Sequence, residues 1–218
     1  MRTLLVTGTD TGVGKTFVTC AIAHALRARG RRVSVMKPVE TGVDGEPEDA
    51  VRLRTAAADT APLDTICPYR FRAPLAPAVA ARAENRRIDV DLLVRLVRER
   101  AAAADVLLIE GAGGLLVPID GSTTFADLAA TCALPILIVA ANRLGTVNHA
   151  ALTARVAAAA GLTVRGFVLS QPEAETDESG ASNAEEIRRL TALPCLGVLG
   201  HLSDPAAAAP ALDAARLL

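Results

Sequence analysis

The stretch Gly8-Thr9-Asp10-Thr11-Gly12-Val13-Gly14-Lys15-Thr16 decides the fold of this chain. An apolar run typical of a buried strand, Leu4-Leu5-Val6, precedes it, and apolar residues at helical spacing follow it over residues 18–26. The pattern therefore predicts a strand, a glycine-rich turn and a helix. Backbone N–H groups are unpaired at a helix N-terminus and the helix dipole adds positive charge, so the turn can hold a phosphate chain. We expect Lys15 to reach the outer phosphates and the Thr16 hydroxyl to bind Mg²⁺.

The glycine-rich turn departs from the usual P-loop spacing. Counted from Gly8 it has one residue too many, and counted from Thr9 the first glycine is missing. The alternative interpretation is a turn that merely starts a helix. Gly-Lys-Thr at a junction between strand and helix favours phosphate binding, because that junction is the structural context the motif requires.

The composition limits the possible classes of function. A length of 218 residues suits one domain, residues 1–218, and a net charge of −1 gives no global attraction to DNA or an anionic membrane. Aromatic residues make up 2% of the chain, too few for base-stacking platforms. No apolar run is long enough to span a membrane, and Met1-Arg2 leads straight into the first strand, so no signal peptide is expected. Four cysteines, far apart in sequence, predict free thiols in a reducing cytoplasm.

Lysine is almost absent from this sequence. Of 23 Lys and Arg residues, only Lys15 and Lys37 are lysines. Because the chain uses Arg as its ordinary cation, we interpret Lys37 as chemically required, with chance as the alternative. Lys37 follows a predicted strand at residues 32–36 and begins a predicted loop, Lys37-Pro38-Val39-Glu40-Thr41-Gly42, on the same rim as the P-loop. We expect Lys15, as an exposed loop residue, to matter for turnover and little for stability.

Polar residues follow two further apolar strands. Residues 105–109 lead into Glu110-Gly111-Ala112-Gly113-Gly114, where P-loop proteins place a carboxylate linked to the metal; a surface Glu is the alternative. Residues 135–140 lead into a helix that opens near Leu144-Gly145-Thr146-Val147-Asn148-His149, and its N-terminus suits an anion. Asp49 lies at the start of a short helix over residues 50–58. Its residue type alone favours an N-cap over an Mg²⁺ ligand.

The remaining segments continue the alternation of strands and helices. The pattern predicts a strand over residues 164–169, a helix over Asn183–Thr191, a strand over Cys195–Leu199 and a helix after Pro205. A helix over residues 90–97 has Asp89 as its predicted cap. The alternation indicates an α/β protein with a mostly parallel β-sheet covered by helices on both faces.

Four of these motifs, in this order, resemble the dethiobiotin synthetases, biotin-pathway enzymes of the P-loop class. They are the P-loop, the Lys37–Gly42 motif, the Glu110–Gly114 motif and the Leu144–His149 motif, and the resemblance covers nearly the whole chain. The extra residue in the P-loop is what this family shows. The resemblance implies a single-domain P-loop NTPase fold and a homodimer whose active sites are shared between subunits.

The resemblance also implies a reaction. ATP, Mg²⁺ and CO₂ or bicarbonate convert 7,8-diaminononanoate (DAPA) to dethiobiotin, without nucleic acid or membrane as a partner. One amine captures CO₂ as a carbamate, and a carbamate oxygen attacks the γ-phosphate. The second amine then attacks the mixed anhydride, which closes the cyclic urea and releases phosphate.

The residues that match the family's motifs acquire roles by this resemblance. Lys15 and Lys37 are implied to be catalytic, with Lys37 holding the carbamate. The implied metal ligands are Thr16, Asp49 and Glu110. The implied substrate contacts are Lys37, Thr41, Gly145, Thr146, Val147 and Asn148. The implied nucleotide contacts are Gly12, Val13, Gly14, Lys15, Thr16, Phe17, Asp49, Glu110, Gly111, Ala112, Gly113, Ser170, Gln171, Gly200, His201 and Leu202.

One position departs from the family pattern. The family often has an adenine-reading Asn after the strand that ends near Leu169, and this chain has Ser170-Gln171 there. An Asn presents a paired donor and acceptor to a base edge, and a Ser alone does not. We therefore expect triphosphate use with weak discrimination among bases.

Two classes of nucleotide-dependent switch are the alternatives to this enzyme family. A partition- or targeting-type ATPase usually has a second lysine early in its P-loop, where this chain has Asp10. A GTPase needs the guanine-reading Asn-Lys-x-Asp motif, and Asn142-Arg143-Leu144-Gly145 is a poor substitute. Either switch would hydrolyse nucleotide without DAPA and bicarbonate.

Overall fold

Strands and helices alternate along the chain, as the apolar pattern predicts. The computed structural model describes residues 2–175 and 178–217. Its strands are β1 (Arg2–Gly8), β2 (Val33–Met36), β3 (Val39–Thr41), β4 (Tyr69–Phe71), β5 (Val106–Gly114), β6 (Pro118–Asp120), β7 (Thr123–Thr124), β8 (Ile136–Ala141), β9 (Val164–Ser170) and β10 (Cys195–Leu199). Its helices are α1 (Lys15–Ala28), α2 (Glu48–Ala57), α3 (Leu63–Ile66), α4 (Pro77–Ala83), α5 (Val90–Ala102), α6 (Phe125–Thr131), α7 (Thr146–Ala159), α8 (Asn183–Thr191) and α9 (Pro205–Ala208).

A six-stranded parallel sheet forms the centre, in the order β10-β9-β8-β1-β5-β2. The strand before the P-loop, β1, lies between β5 and β8, and Leu5 is in register with Ile109 on one side and Ile136 on the other. Because all six strands run the same way, the residues after β1, β2, β5 and β8 gather at one edge. Two small pairs, parallel β3–β4 and antiparallel β6–β7, lie outside this sheet.

Helices cover both faces of the central sheet. Neighbouring residues of a strand point to opposite faces. Leu4 and Val6 accordingly pack with buried residues of α1 and α2, whereas Leu5 packs with buried residues of α5, α6, α7 and α8. Strands buried on both faces explain the continuous apolar runs in the sequence. The predicted fold class is confirmed.

Local sequence signals set several element boundaries. Asp89 Oδ1 accepts a hydrogen bond from the Leu92 N–H at 3.0 Å, so Asp89 caps α5 as predicted. The observed α8 and β10 match their predicted bounds. The segment predicted as a loop after Lys37 instead contains β3, because it pairs with β4. The predicted helix after Pro205 is only one turn long, and a 3₁₀ turn, Ala209–Ala211, follows it.

The cysteines and the lengths of the helices bear on two further expectations. Cys20, Cys67, Cys132 and Cys195 are all free thiols, as predicted. Burial raises the pKa of Cys20 and of Cys67 to about 12, so both remain protonated and unreactive. Within residues 2–175 and 178–217, no helix has both the length and the apolar character needed to cross a membrane.

Candidate active site

The P-loop joins β1 to α1 and leaves the N-terminus of α1 open. Gly14 precedes the helix with φ = 82°, a left-handed conformation that favours glycine. A Cβ at Gly14 would also collide with the Ser170 hydroxyl. No side chain of the described residues caps α1, and its first turn has no acidic residue. The backbone N–H groups of the first turn of α1 are therefore free to bind a phosphate group.

Lys15 is buried, contrary to the expectation of an exposed loop lysine. Lys15 is only 7% exposed, and its Nζ donates a hydrogen bond to the Asp10 carbonyl at 3.0 Å. Burial, with the positive charge of Lys37 nearby, lowers the pKa of Lys15 from 10.5 to about 8. The main cause is the loss of solvent around the buried ammonium.

Lys37 lies between two carboxylates. Nζ is 2.5 Å from Glu110 Oε1 and 2.9 Å from Asp49 Oδ2, and Lys37 is 4% exposed. Burial alone would lower the pKa of Lys37, but the charges and hydrogen bonds of Glu110 and Asp49 outweigh it and raise that pKa above its usual range. Lys37 is therefore a fixed cation at neutral pH.

Thr16 joins Lys37, Asp49 and Glu110 in one cluster of polar side chains. Thr16 Oγ1 donates to Glu110 Oε1 at 2.8 Å. Burial would raise the pKa of Asp49, but the Lys37 charge and hydrogen bonds from Lys37 and Thr16 hold it below its usual range. Glu110 is fully buried, and its Oε2 has no hydrogen-bond partner among residues 2–175 and 178–217. The Thr16 hydroxyl and the carboxylates of Asp49 and Glu110 form a donor set that fits Mg²⁺, and Glu110 Oε2 is an acceptor with no partner among the described residues.

The cap interpretation of Asp49 is wrong. Pro47 is the N-cap of α2, and Asp49 is the second residue of that helix. Asp49 is thus free to direct its carboxylate to Lys37. The acceptor for the first turn of α2 comes instead from Glu40, whose two carboxylate oxygens accept from Asp49 N and Ala50 N, each at 3.0 Å.

One cavity of about 620 Å³ gathers most of the predicted residues. Its lining includes Gly12, Gly14, Lys15, Thr16, Phe17, Lys37, Thr41, Asp49, Glu110, Ala112 and Gly113. The cavity is also lined by Glu40, Arg52 and residues 74–77, for which no role was predicted from the sequence. The signal available for Glu40 was its place in the Lys37–Gly42 motif, three residues after Lys37.

Several predicted nucleotide residues lie outside this cavity. Val13 is buried, and its carbonyl accepts a hydrogen bond from the Ser170 hydroxyl at 2.6 Å. Gly111 packs against the Phe125 ring. Gln171 lines a separate cavity of about 270 Å³.

The residues predicted to flank the base lie near Gln171. His201 Nδ1 is 3.3 Å from the Gln171 carbonyl. Gly200, His201 and Leu202 are exposed after β10. Ser170 connects the P-loop to the segment around Gln171, because it follows Leu169 in β9 and its hydroxyl contacts the P-loop.

The start of α7 forms a second open helix N-terminus. Gly145 precedes it with φ = 91°, the described residues supply no side-chain cap, and the first turn lacks acidic residues. Thr146 is buried, and its Oγ1 has no partner within the described part of the chain. Val147 is half-buried and Asn148 is exposed. This end of α7 does not line the 620 Å³ cavity.

A groove of about 460 Å³ separates the middle of α7 from the start of the P-loop. Thr9, Asp10 and Thr11 line one side, and Leu152 and Val156 of α7 line the other. The large side chains Leu116, Leu144 and Leu152 are exposed. The helix with the open N-terminus thus carries apolar residues on the surface near the P-loop.

This chain matches a family model and several curated relatives over nearly its whole length. The family described as AAA domain matches residues 2–208. ATP-dependent dethiobiotin synthetase BioD of Anaeromyxobacter dehalogenans (strain 2CP-C) is 51% identical over 213 residues, covering 97% of this chain and 96% of the relative. The protein of the same name from Aromatoleum aromaticum (strain DSM 19018 / LMG 30748 / EbN1) is 40% identical over 221 residues, with coverage of 97% and 96%. The structure of chloroplast FtsY from Physcomitrella patens is 20% identical, covers 90% of this chain and 57% of its own, and has a TM-score of 0.49.

Proposed function

Since this chain belongs to the family of ATP-dependent dethiobiotin synthetases, we propose that it is a ligase that converts DAPA, CO₂ and ATP to dethiobiotin, ADP and phosphate. One observation carries the proposal: the P-loop lysine, Lys15, and the fixed cation Lys37 line the same cavity. The two lysines are then placed for the two anions that must meet, a triphosphate and a carbamate. A chain with Arg as its ordinary cation retains lysine at these two places.

The open N-terminus of α1 and Lys15 would hold the triphosphate. Phosphoryl transfer depends mainly on positioning and on neutralising charge at the transferred group. A bound triphosphate would place negative charge beside the buried Lys15 ammonium and so favour its protonated form. Lys15 thus contributes charge at the γ-phosphate end of the nucleotide.

Lys37 would hold the carbamate made from one amine of DAPA. The carbamate oxygen attacks the γ-phosphate, which gives a carbamic-phosphoric anhydride and ADP. The second amine attacks the anhydride carbon, and phosphate leaves as the cyclic urea closes. The pKa of Lys37 is raised, so this residue acts as a positive charge beside the attacking oxygen rather than as a proton donor.

Thr16, Asp49 and Glu110 would hold Mg²⁺, and Glu110 Oε2, which has no partner among the described residues, supports this assignment. When bound, the ion would neutralise charge on the phosphate oxygens. Lys37 contacts the same two carboxylates. It would therefore retain fewer bonds to them when the metal is present.

The base would lie toward Ser170, Gln171 and residues 200–202. The Ser170 hydroxyl donates to the Val13 carbonyl, so Ser170 supports the P-loop and is not free to read a base edge. Thr41, half-buried in the main cavity, would contact DAPA. These placements support weak base selection together with firm triphosphate binding.

The DAPA carboxylate, at the far end from the amines, would bind at the N-terminus of α7. The open amides of residues 145–148 suit an anion, as does the Thr146 hydroxyl, which has no partner in the part of the chain that the structure describes. Residues 145–148 are not among the lining residues of the 620 Å³ cavity in the described part of the chain, and Leu116, Leu144 and Leu152 are exposed; both observations support a homodimer in which each site uses α7 of the partner subunit. We also propose that residues 1–218 act as one cytoplasmic domain, with the two apolar clusters on opposite faces of one sheet.

Subunit mixing tests the shared site. Lys37→Ala and Asn148→Trp should each inactivate a homodimer. After subunit exchange about half the dimers are mixed, and each holds one intact site, so activity should return to roughly a quarter of wild type. A mixture that exchanges subunits but stays inactive would place the carboxylate site within one chain.

Mass spectrometry tests the reaction itself. Protein mixed with DAPA, bicarbonate, Mg²⁺ and ATP should yield dethiobiotin, and Lys15→Ala and Lys37→Ala proteins should yield none. A wild-type protein that hydrolyses ATP but makes no dethiobiotin would instead be a switch ATPase.

A further inference from the structure

Glu40 connects two parts of the candidate active site. It lies in β3, three residues after Lys37, and is 7% exposed. Its two carboxylate oxygens accept from the N–H groups of Asp49 and Ala50, both at 3.0 Å. One side chain thus satisfies two adjacent amides in the first turn of α2, whose own N-cap, Pro47, supplies no side-chain acceptor.

The strand that carries Glu40 is itself fixed. β3 pairs with β4, in the register Glu40 with Arg70. The Lys37 N–H, just before β3, donates to the Ile66 carbonyl at 2.8 Å. Glu40 therefore links the fixed strand β3 to the start of α2.

The residue whose amide Glu40 holds is the residue that faces the cation. Asp49 Oδ2 is 2.9 Å from Lys37 Nζ, and the Asp49 side chain is partly open to solvent. Lys37 and Glu40 belong to one segment, so two contacts from that segment, one to the Asp49 side chain and one to its backbone, fix where the carboxylate lies. Without the backbone contact, the first turn of α2 would lose its only side-chain acceptors in the described ranges.

We propose that Glu40 is a positioning residue, which acts through the Asp49 and Ala50 amides to hold the Asp49 carboxylate for a divalent cation. This rests on the proposed function in one respect, the role of Asp49 as a metal ligand. In this role Glu40 acts through Asp49 and makes no bond to the metal itself. A partner that orients a metal ligand affects metal affinity about 10- to 100-fold when it is removed.

Electron paramagnetic resonance of Mn²⁺ bound with ADP tests the proposal without any turnover. Glu40→Ala should weaken Mn²⁺ binding at least ~10-fold. Glu40→Gln should have an intermediate effect, because its amide oxygen can accept one N–H whereas its NH₂ group cannot accept the other. At saturating Mg²⁺, both variants should recover most of the wild-type kcat, because the reacting groups are unchanged.

Glu48→Gln is the matched control. Glu48 lies in the same first turn, is 81% exposed and pairs with Arg52, so this change removes the same charge without the amide contacts. Equal weakening by Glu48→Gln would show a simple charge effect and overturn the proposal, as would wild-type Mn²⁺ affinity in Glu40→Ala. If Glu40→Ala fails to fold, wild-type affinity in Glu40→Gln overturns it equally. No diamine is present, so failure to make dethiobiotin would leave this result standing.

Discussion

Replacing Lys15 with Met should stabilise the nucleotide-free protein while abolishing turnover. The pKa of Lys15 falls from 10.5 to about 8 on folding, chiefly because the ammonium is buried. At ~1.4 kcal/mol per pKa unit, the folded state at pH 7 carries a penalty of ~3 kcal/mol for this charge. Loss of the hydrogen bond to the Asp10 carbonyl offsets about 1 kcal/mol. Lys15→Met should therefore raise the free energy of unfolding by ~2 kcal/mol at pH 7.

The pH dependence identifies the cause. Between pH 8 and 10.5 the unfolded chain binds more protons at Lys15 than the folded protein does, so wild-type stability rises with pH across this window. The penalty is complete below that window and absent above it. The advantage of Lys15→Met should accordingly be present at pH 7 and lost near pH 10.5.

Urea unfolding followed by far-ultraviolet circular dichroism is the appropriate assay, since the chain has no Trp and one Tyr. Arg95→Met, which removes an exposed cation from α5, should change stability by no more than about 0.5 kcal/mol. A Lys15→Met protein less stable than wild type at pH 7 would refute the reasoning. An advantage of the same size at both pH values would show that titration of Lys15 is not its source.

Two further predictions concern chemistry at the site. Lys37→Arg should lose ~100-fold or more in kcat despite keeping the charge, because a planar guanidinium is larger than the ammonium held 2.5 Å from Glu110 and 2.9 Å from Asp49; near-normal steady-state turnover would remove Lys37 from the catalytic residues. ATP should be preferred over CTP or GTP by less than ~10-fold in kcat/KM, because Ser170 offers no paired donor and acceptor to a base. A preference of several thousand-fold in competition assays would require another base reader.

Local patterns were enough to predict most of the central sheet. The P-loop junction, α8 and β10 were predicted from contiguous residues, and each depends on signals within a few positions. The strand β3 was missed because it is only three residues long and its partner, β4, lies about thirty residues further along. Pairing of this kind depends on tertiary structure, which a local pattern does not contain.

In the candidate site, too, some features were predictable from the local sequence and others depend on tertiary structure. Which residues would gather was predictable, because strand ends of a parallel sheet meet at one edge. The burial of Lys15 was not, because it depends on the tertiary packing of the P-loop, whose Asp10 carbonyl lies 3.0 Å from Lys15 Nζ. Residue type alone favoured Asp49 as the cap of α2, whereas the acceptor is Glu40, nine residues earlier and on another element.

The central claim is that ATP cleavage at this site is coupled to ring closure. Phosphate release and dethiobiotin formation should be measured in the same sample, with and without DAPA and bicarbonate. We expect one phosphate for each dethiobiotin, and negligible phosphate release when either DAPA or bicarbonate is omitted. Sustained phosphate release that is indifferent to DAPA and bicarbonate would contradict it and indicate a nucleotide switch.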